Sequence, residues 1–262
     1  MDGLMIFDPL FRVPLFNGLL LALVLSTVGA YLRLRDEWLA AFALAQVAAA
    51  GGVLALPLGV PVVVTAALAA GTVAVVYGFL ERVNNNHYGV AILMGWSSAI
   101  ILAANTHQGS VVVESLLRGQ LYFSGVGHLI GAAALLMILL VSLPWLSRRI
   151  MITRFFPDHF SANRQASWPH QVGFGLIVVF AVVLGTLAMG ALPAFALFFL
   201  PSWVAFVLVS GWRRALLLTG ALAVIAYFVA FVLAIQFDQP FGPVLVLVLM
   251  ALLPLRLLGR VG

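Results

Sequence analysis

Histidine is the side chain in this sequence with the clearest potential for metal chemistry, because cysteine is absent and acidic residues are few. An imidazole nitrogen is a good ligand for divalent transition metals, and two histidines four residues apart would share one helix face. No such pair occurs among the five histidines, which are His87, His107, His128, His159 and His170. His107 and His128, at the predicted outer ends of apolar segments, remain candidate metal ligands, and a solvated or hydrogen-bonding role is the alternative for both.

Motifs of enzymatic catalysis are missing from the sequence. It contains no HExxH zinc motif, no GxSxG nucleophile elbow, no phosphate-binding glycine loop and no paired carboxylates. The centres of the apolar segments also carry no charged residue, whereas ionisable groups inside a membrane mark proton relays and ion pathways. We therefore predict that the chain is not an enzyme, has no catalytic residue and does not pump protons.

Composition indicates what kind of protein holds these side chains. Hydrophobic residues make up 64% of the 262 residues and charged residues only 8%, whereas soluble domains carry about 25% charged residues. Apolar segments long enough to cross about 30 Å of hydrocarbon recur along the chain. The sequence thus predicts an all-α polytopic membrane bundle of about nine spans, at 15–32, 38–57, 60–80, 88–105, 128–147, 171–189, 192–210, 215–236 and 242–258.

The arginines predict the orientation of these spans, since cytoplasmic loops of membrane proteins carry an excess of basic residues. With the N-terminus outside and the C-terminus in the cytoplasm, eleven of the 13 basic residues face the cytoplasm, and only Arg12 and Arg118 lie outside. The net charge of +5 is therefore interpreted as orientation information and not as a nucleic-acid-binding surface.

Two connections are longer than turns. The segment 105–127 is too polar to span a membrane, yet its apolar residues recur at helical spacing, which predicts a short amphipathic or re-entrant helix at the outer surface. The segment 148–171 is basic and aromatic, and a short cytoplasmic helix capped by Asp158 is expected in it. That helix suits either a docking contact with a soluble partner or an interfacial position on lipid head groups.

Five stretches follow one another along the chain: "FNGLLLALVLSTVGAYLRLR" (16–35), "SLLRGQLYFS" (115–124), "FFPDHFSANRQ" (155–165), "MGALPAFALFFLPSWVA" (189–205) and "QFDQPFGPVLVLV" (236–248). Taken in this order they resemble the membrane subunits of ATP-binding-cassette (ABC) importers of the zinc and manganese uptake group. The spacing of Pro240, Gly242 and Pro243 carries the most information, because hydrophobic composition alone does not produce it. The resemblance implies a single transmembrane permease domain over 1–262, similar to type II ABC importer permeases.

The resemblance also implies partners and sites. Cassette ATPase subunits would bind and hydrolyse ATP, so this chain itself would hold no cofactor, and a solute-binding protein would deliver cargo from outside. Two copies would form a homodimer in the bacterial inner membrane, with the path between them. The ATPase is expected at Phe155, Phe156, Pro157, Asp158, His159 and Phe160, and the outer turn at Asp238, Pro240, Gly242 and Pro243.

One helix departs from the family pattern. Metal-transporting members carry an aspartate and, four residues later, a histidine on the second helix, where this sequence has Phe42 and Gln46. Phenylalanine has no lone pair and an amide oxygen is a poor ligand for zinc, so the cargo is zinc, manganese, a metal complex or a non-metal small solute. A scaffold or assembly subunit without transport activity is the other alternative. The candidate path residues are Phe42, Gln46, Ser97, Ser98 and Asn105.

Overall fold

The computed structural model describes residues 9–80, 83–156, 159–163, 165, 166 and 168–259. Over these residues the chain forms thirteen α-helices and one short 3₁₀ turn, Leu121–Phe123, and no β-strand. The helices are α1 (Pro9–Arg35), α2 (Ala40–Val53), α3 (Ala55–Leu58), α4 (Val62–Phe79), α5 (Asn85–Ala104), α6 (Gly109–Arg118), α7 (Val126–Phe155), α8 (His159–Ala162), α9 (Trp168–Met189), α10 (Ala191–Leu208), α11 (Trp212–Gln236), α12 (Phe241–Met250) and α13 (Leu255–Leu258). The predicted all-α class is confirmed.

In the described part of the chain, seven helices are long and apolar enough to cross a membrane, namely α1, α4, α5, α7, α9, α10 and α11. Two shorter apolar stretches, Ala40–Val53 and Phe241–Leu257, coincide with the two remaining predicted ranges. Each range predicted from the sequence therefore falls on an apolar helical element, and a count near nine agrees with the structure. Helix α2 is one of these two shorter stretches, and its 14 residues extend over about 21 Å at 1.5 Å per residue.

Helix α7 is longer than its prediction, because it runs to Phe155 whereas the predicted span ended at residue 147. The arginine pair after residue 147 ends the apolar stretch without breaking the helix. One of the pair, Arg149, places its guanidinium carbon 5.0 Å from the ring centroid of Trp145, a contact that keeps the charge on an aromatic face. The first eight residues of the segment 148–171 are therefore helical continuation and not loop.

The helices divide into two compact units. The first unit contains the described residues of Met1–Ala30, Ser115–Leu136 and Leu184–Gly262, and the second unit contains those of Tyr31–Glu114 and Met137–Val183. In the second unit, α2 packs against α4 and α5, and all but one of its 14 residues are buried. A helix that is apolar on every side is expected at such a central position.

In the first unit, α10 packs against α11, α12 and α13. It is a single helix that contains two prolines: Pro193 lies in the first turn, where a missing N–H costs no helix hydrogen bond, and Pro201 lies inside. Tyr227 of α11 is fully buried. Its hydroxyl donates to the Pro14 carbonyl of α1 at 3.0 Å, so a buried polar group joins the two helices.

Two glycines in the first unit bring two backbone segments together. Gly119 (φ 76°) follows α6 and Gly190 (φ 94°) precedes α10, and both have the positive φ that favours glycine. A Cβ added to Gly190 would lie 2.5 Å from the Leu117 carbonyl oxygen, and one added to Gly119 would collide with the backbone of Met189 and Gly190. We call this contact the glycine crossing.

Candidate functional site

The first candidate site is the contact between α2 and α5, which carry the path residues predicted from the sequence. Gln46 is buried, with 5% of its surface exposed. It lies next to Gly95 of α5. A Cβ added to Gly95 would lie 2.7 Å from the Val47 nitrogen, so the two backbones touch at this point and leave no room for a larger residue. Phe42, one turn before Gln46 on α2, is partly exposed.

The three other path candidates do not share that contact. On α5, Gly95 and Ala99 are buried, whereas Ser97 is exposed and lies about 200° around the helix from Gly95 at 100° per residue. Ser98 is partly exposed. Asn105 is exposed at the C-terminal end of α5, and its amide donates to the Ile101 carbonyl at 2.8 Å. The described contacts therefore show that Gln46 packs against α5 and that Asn105 forms a hydrogen bond at the end of α5. A role in the transport path stays a prediction for both residues.

A second polar site lies in the second unit, and the sequence did not predict it. It consists of Arg35, Glu37, Asn85 and Tyr88, which we call the Arg35 cluster. The Arg35 guanidinium donates to one carboxylate oxygen of Glu37 through Nη2 at 2.8 Å and through Nε at 3.0 Å, and the Tyr88 hydroxyl donates to the other oxygen at 3.2 Å. The Arg35 guanidinium carbon also lies 5.2 Å from the ring centroid of Phe174. Both carboxylate oxygens thus have donors.

Asn85 joins this cluster to the turn between α1 and α2. Its amide donates to the Asp36 carbonyl at 2.9 Å, and its side-chain oxygen accepts from the Leu39 N–H at 3.1 Å. Asp36 has the left-handed φ of 61°, which a carboxylate residue tolerates better than most others. The start of α5 therefore holds the α1–α2 turn in place.

The Arg35 cluster lines a pocket in the second unit. Besides Arg35, Glu37 and Tyr88, the polar lining residues are Tyr77 and Gln171, and the other lining residues are mostly apolar. The sequence does contain a signal, since Arg33 and Arg35 are followed directly by Asp36 and Glu37, but only the arginines enter the prediction of orientation. These charged residues indicate a polar site only because the pair of Arg35 and Glu37 is buried, and burial depends on tertiary packing, which the local sequence does not show.

The two candidate metal ligands lie in different units, His107 in the second and His128 in the first. His107 and His128 are both exposed, and His128 accepts through Nδ1 from the Gly125 N–H at 3.3 Å, a contact that closes the first turn of α7. His87 takes part in a capping box with Asn84 at the start of α5. Within the described residues, no three histidine, aspartate or glutamate side chains form a group that could hold a metal ion.

The predicted ATPase-docking residues divide by exposure. Phe155 and Phe156, at the end of α7, are 65% and 66% exposed, and His159 of α8 is exposed as well. Phe160 of the same short helix is buried. Pro157 and Asp158, which the sequence also predicts in this set, lie outside the described residues.

The predicted outer turn lies in the first unit, near the glycine crossing. Pro240 precedes α12 and Pro243 lies in its first turn, where proline fits the helix start. A Cβ added to Gly242 would lie 2.9 Å from Pro193 Cγ, so the turn packs closely on the start of α10. Asp238 is exposed with φ 50°; burial and, secondarily, the charge of Asp238 raise the pKa of the Tyr122 hydroxyl.

Three of the quoted stretches therefore meet in the first unit. The stretch at 115–124 contacts the stretch at 189–205 through the glycine crossing, and the Gln120 N–H donates to the Ala188 carbonyl at 3.1 Å beside it. The stretch at 236–248 contacts the same place through Gly242 and Pro193. Small residues and prolines at these positions follow from close backbone packing.

Comparison with known proteins agrees with this architecture. The sequence pattern of the ABC 3 transport family matches residues 8–259. PsaBC from Streptococcus pneumoniae, solved in complex with Fab, has a similar fold, with a TM-score of 0.81 and 16% identity over 98% of this chain and 93% of that chain. A protein described as a metal-chelate type ABC transporter, in an inward-facing conformation, gives a TM-score of 0.75 and 14% identity over 97% of this chain and 87% of that chain.

No curated protein sequence matches the chain, and identities of 14% and 16% carry the fold and no more. The family match, in contrast, spans nearly the whole sequence and contains both apolar units. It makes the chain a transport subunit and not an enzyme, which agrees with the absence of catalytic motifs. The chain belongs to the ABC 3 transport family and is a membrane-spanning permease subunit of an ABC transporter.

Proposed function

We propose that this permease belongs to an importer that brings a small solute into a bacterial cell across the inner membrane. The observation that carries the proposal is the family match over residues 8–259. We further propose that the cargo is a metal complex, in preference to a bare zinc or manganese ion. The description of one structural neighbour as a metal-chelate type transporter supports this class of cargo.

The chemistry of α2 supports a complex over a bare ion. Where metal-transporting relatives are expected to carry aspartate and histidine, this chain has a partly exposed Phe42 and a buried Gln46. A bare divalent ion that leaves water needs anionic or imidazole ligands to replace its hydration shell. A complex brings its own ligands, so neutral hydrogen-bonding and aromatic side chains are sufficient to accompany it.

The proposed assembly contains two copies of this chain, two cassette ATPase subunits and an outer solute-binding protein. The N-terminus would lie outside and the C-terminus in the cytoplasm, with 105–127 at the outer surface and 148–171 at the cytoplasmic surface. The exposed Phe155 and Phe156 support an ATPase contact there, because two neighbouring phenylalanines that are each about two-thirds exposed suit a protein interface. ATP would bind only to the partner ATPase.

Transport by the reconstituted complex tests the proposal. The chain would be purified with a cassette ATPase and a binding protein encoded beside it, placed in vesicles, and supplied with radiolabelled Zn²⁺, Mn²⁺ or a zinc–citrate complex. We expect ATP-dependent uptake of the complex at a higher rate than of either free ion. Faster uptake of a free ion would overturn the choice of cargo. No effect of any solute on ATP turnover would overturn transport and leave the scaffold role.

A further inference from the structure

Phe160 differs from the other described residues of the proposed docking segment. Its surface is 5% exposed, whereas Phe155 and Phe156 nearby are each about two-thirds exposed. A side chain this buried is not accessible to a partner protein. Phe160 must therefore contribute through what it contacts inside this chain.

Besides its neighbour His159, the Phe160 ring contacts a buried histidine in the first turn of α9. The ring centroids of Phe160 and His170 lie 4.8 Å apart with an interplanar angle of 31°, and His170 is only 1% exposed. On its other side, His170 Nε2 lies 3.1 Å from the Thr153 hydroxyl of α7. One imidazole thus connects α8, through a ring contact, with α7, through a hydrogen bond.

The other hydrogen bond of Thr153 determines which group donates in its contact with His170. The Thr153 hydroxyl donates its proton to the Arg149 carbonyl at 3.0 Å, so it accepts from His170, which must carry its proton on Nε2. His170 Nδ1 is then a buried acceptor, and it has no partner among the described residues. An unpaired buried acceptor costs free energy. An apolar residue would fill the space without that cost, so packing alone does not account for a histidine here.

We propose that Phe160, His170 and Thr153 form a joint that transmits the position of α8 to α7 and α9, and that His170 is its positioning residue. The inference rests on the proposed function, in which the segment 148–171, which contains α8, contacts the ATPase. Exposed residues of the segment bind the ATPase, and the joint carries the movement of the bound ATPase into the membrane helices.

The contacts beyond the joint continue in the same unit. Phe174 lies four residues after His170, on the same face of α9, and it contacts the Arg35 guanidinium. Gln171 and Phe174 both line the pocket of the Arg35 cluster. A shift of the first turn of α9 therefore reaches the ends of α1 and α5 through residues that are already in contact.

A matched pair of substitutions separates binding from transmission. Phe156→Ala and Phe160→Ala make the same chemical change at an exposed and at a buried position. Both would be made in the full chain and purified with the cassette ATPase encoded beside it. We expect Phe156→Ala to lose bound ATPase, and Phe160→Ala to keep it bound but to lose the difference in ATP turnover between the complex and the isolated ATPase.

A second pair keeps the inference testable when Phe160→Ala fails to fold. Thr153→Ser keeps the hydroxyl and Thr153→Val removes it with little change in shape. We expect the turnover difference to survive in Thr153→Ser and to fall about fivefold in Thr153→Val, the factor typical of one neutral hydrogen bond, while both variants keep the ATPase bound. Normal turnover in Thr153→Val, or loss of bound ATPase in Phe160→Ala, would overturn the joint. Failure of the unaltered chain to bind the ATPase would instead overturn the proposed function.

Discussion

Glu37 of the Arg35 cluster and Gln46 in the middle of α2 are nine residues apart in sequence, yet the surroundings of these two residues differ in polarity. In the cluster, a buried carboxylate has three hydrogen bonds and its arginine also rests on an aromatic ring. Around Gln46 the helix is alanine-rich and packs against a glycine of α5. Charge is thus kept at the helix ends, where partners satisfy it, and the centre of the helix is left neutral. The Arg35 cluster holds the ends of α1, α2 and α5 together through hydrogen bonds, whereas the middle of α2 is held by close packing alone.

The largest expected effect comes from breaking the charged region. Glu37→Ala leaves Arg35 with little exposure (18%) and without its carboxylate, so we expect a loss of about 3–5 kcal/mol in the free energy of unfolding. Denaturant titration in mild detergent measures it. The double variant Arg35→Ala/Glu37→Ala is the control, because it leaves no unpaired ion and should lose less. Equal losses in both variants would mean that the ion pair does not set the stability of this region.

Adding charge to the neutral region is the converse experiment. The double substitution Phe42→Asp/Gln46→His creates a possible ligand pair on one face of α2. With Zn²⁺ at a hundredfold excess over its dissociation constant, we expect a stabilisation of about 2.7 kcal/mol, measured as a rise in melting temperature. Phe42→Asn/Gln46→Asn, which adds no charge, should not respond. If Zn²⁺ has no effect on the Asp–His variant either, the two positions do not face a common accessible space.

A smaller effect is expected from filling the contact between α2 and α5. Gly95→Ala places a methyl group 2.7 Å from the Val47 nitrogen, and such overpacking costs about 1–3 kcal/mol. Gly89→Ala on the same helix is the matched control, because a Cβ there meets nothing within 4 Å and should change stability by less than about 0.5 kcal/mol. Comparable melting temperatures for the two variants would show that the close approach at Gly95 is not required.

The smallest effect should come from Tyr88→Phe. It removes the donor to the second oxygen of Glu37 while the Arg35 bonds remain, so we expect a loss of about 1 kcal/mol, again by denaturant titration. In the Glu37→Ala background the same substitution should have almost no effect, since the acceptor is already gone. An undiminished effect in that background would assign the loss to packing of the ring.

The sequence was sufficient to predict the helices but not the contacts that give them their roles. Apolar length is a local property, so all nine predicted ranges fall on apolar helical elements. The end of α7 was missed because Arg148 and Arg149 end the apolar stretch while the backbone continues as a helix. The Arg35 cluster could not be predicted because Asn85 and Tyr88 follow Glu37 by about fifty residues, and only tertiary packing brings them together.

The candidate sites show the same limit. Gly119, Gly190 and Gly242 all lie in stretches that the sequence singled out, yet only the structure shows that these stretches touch. Likewise, Phe160 was grouped with its exposed neighbours, because burial of one residue in a short helix leaves no local pattern. Whether Gln46, Ser97 or Asn105 touches cargo stays a prediction.

The glycine crossing has a consequence for the order in which the protein is made. Residue 190 leaves the ribosome long after residue 119, so the segment after α6 waits for its partner until the connection between α9 and α10 has been synthesised. Until then the Gln120 N–H lacks its acceptor at Ala188. A nascent chain that stops before α10 would hold this segment unanchored, which makes completion of the first unit a late event in biogenesis.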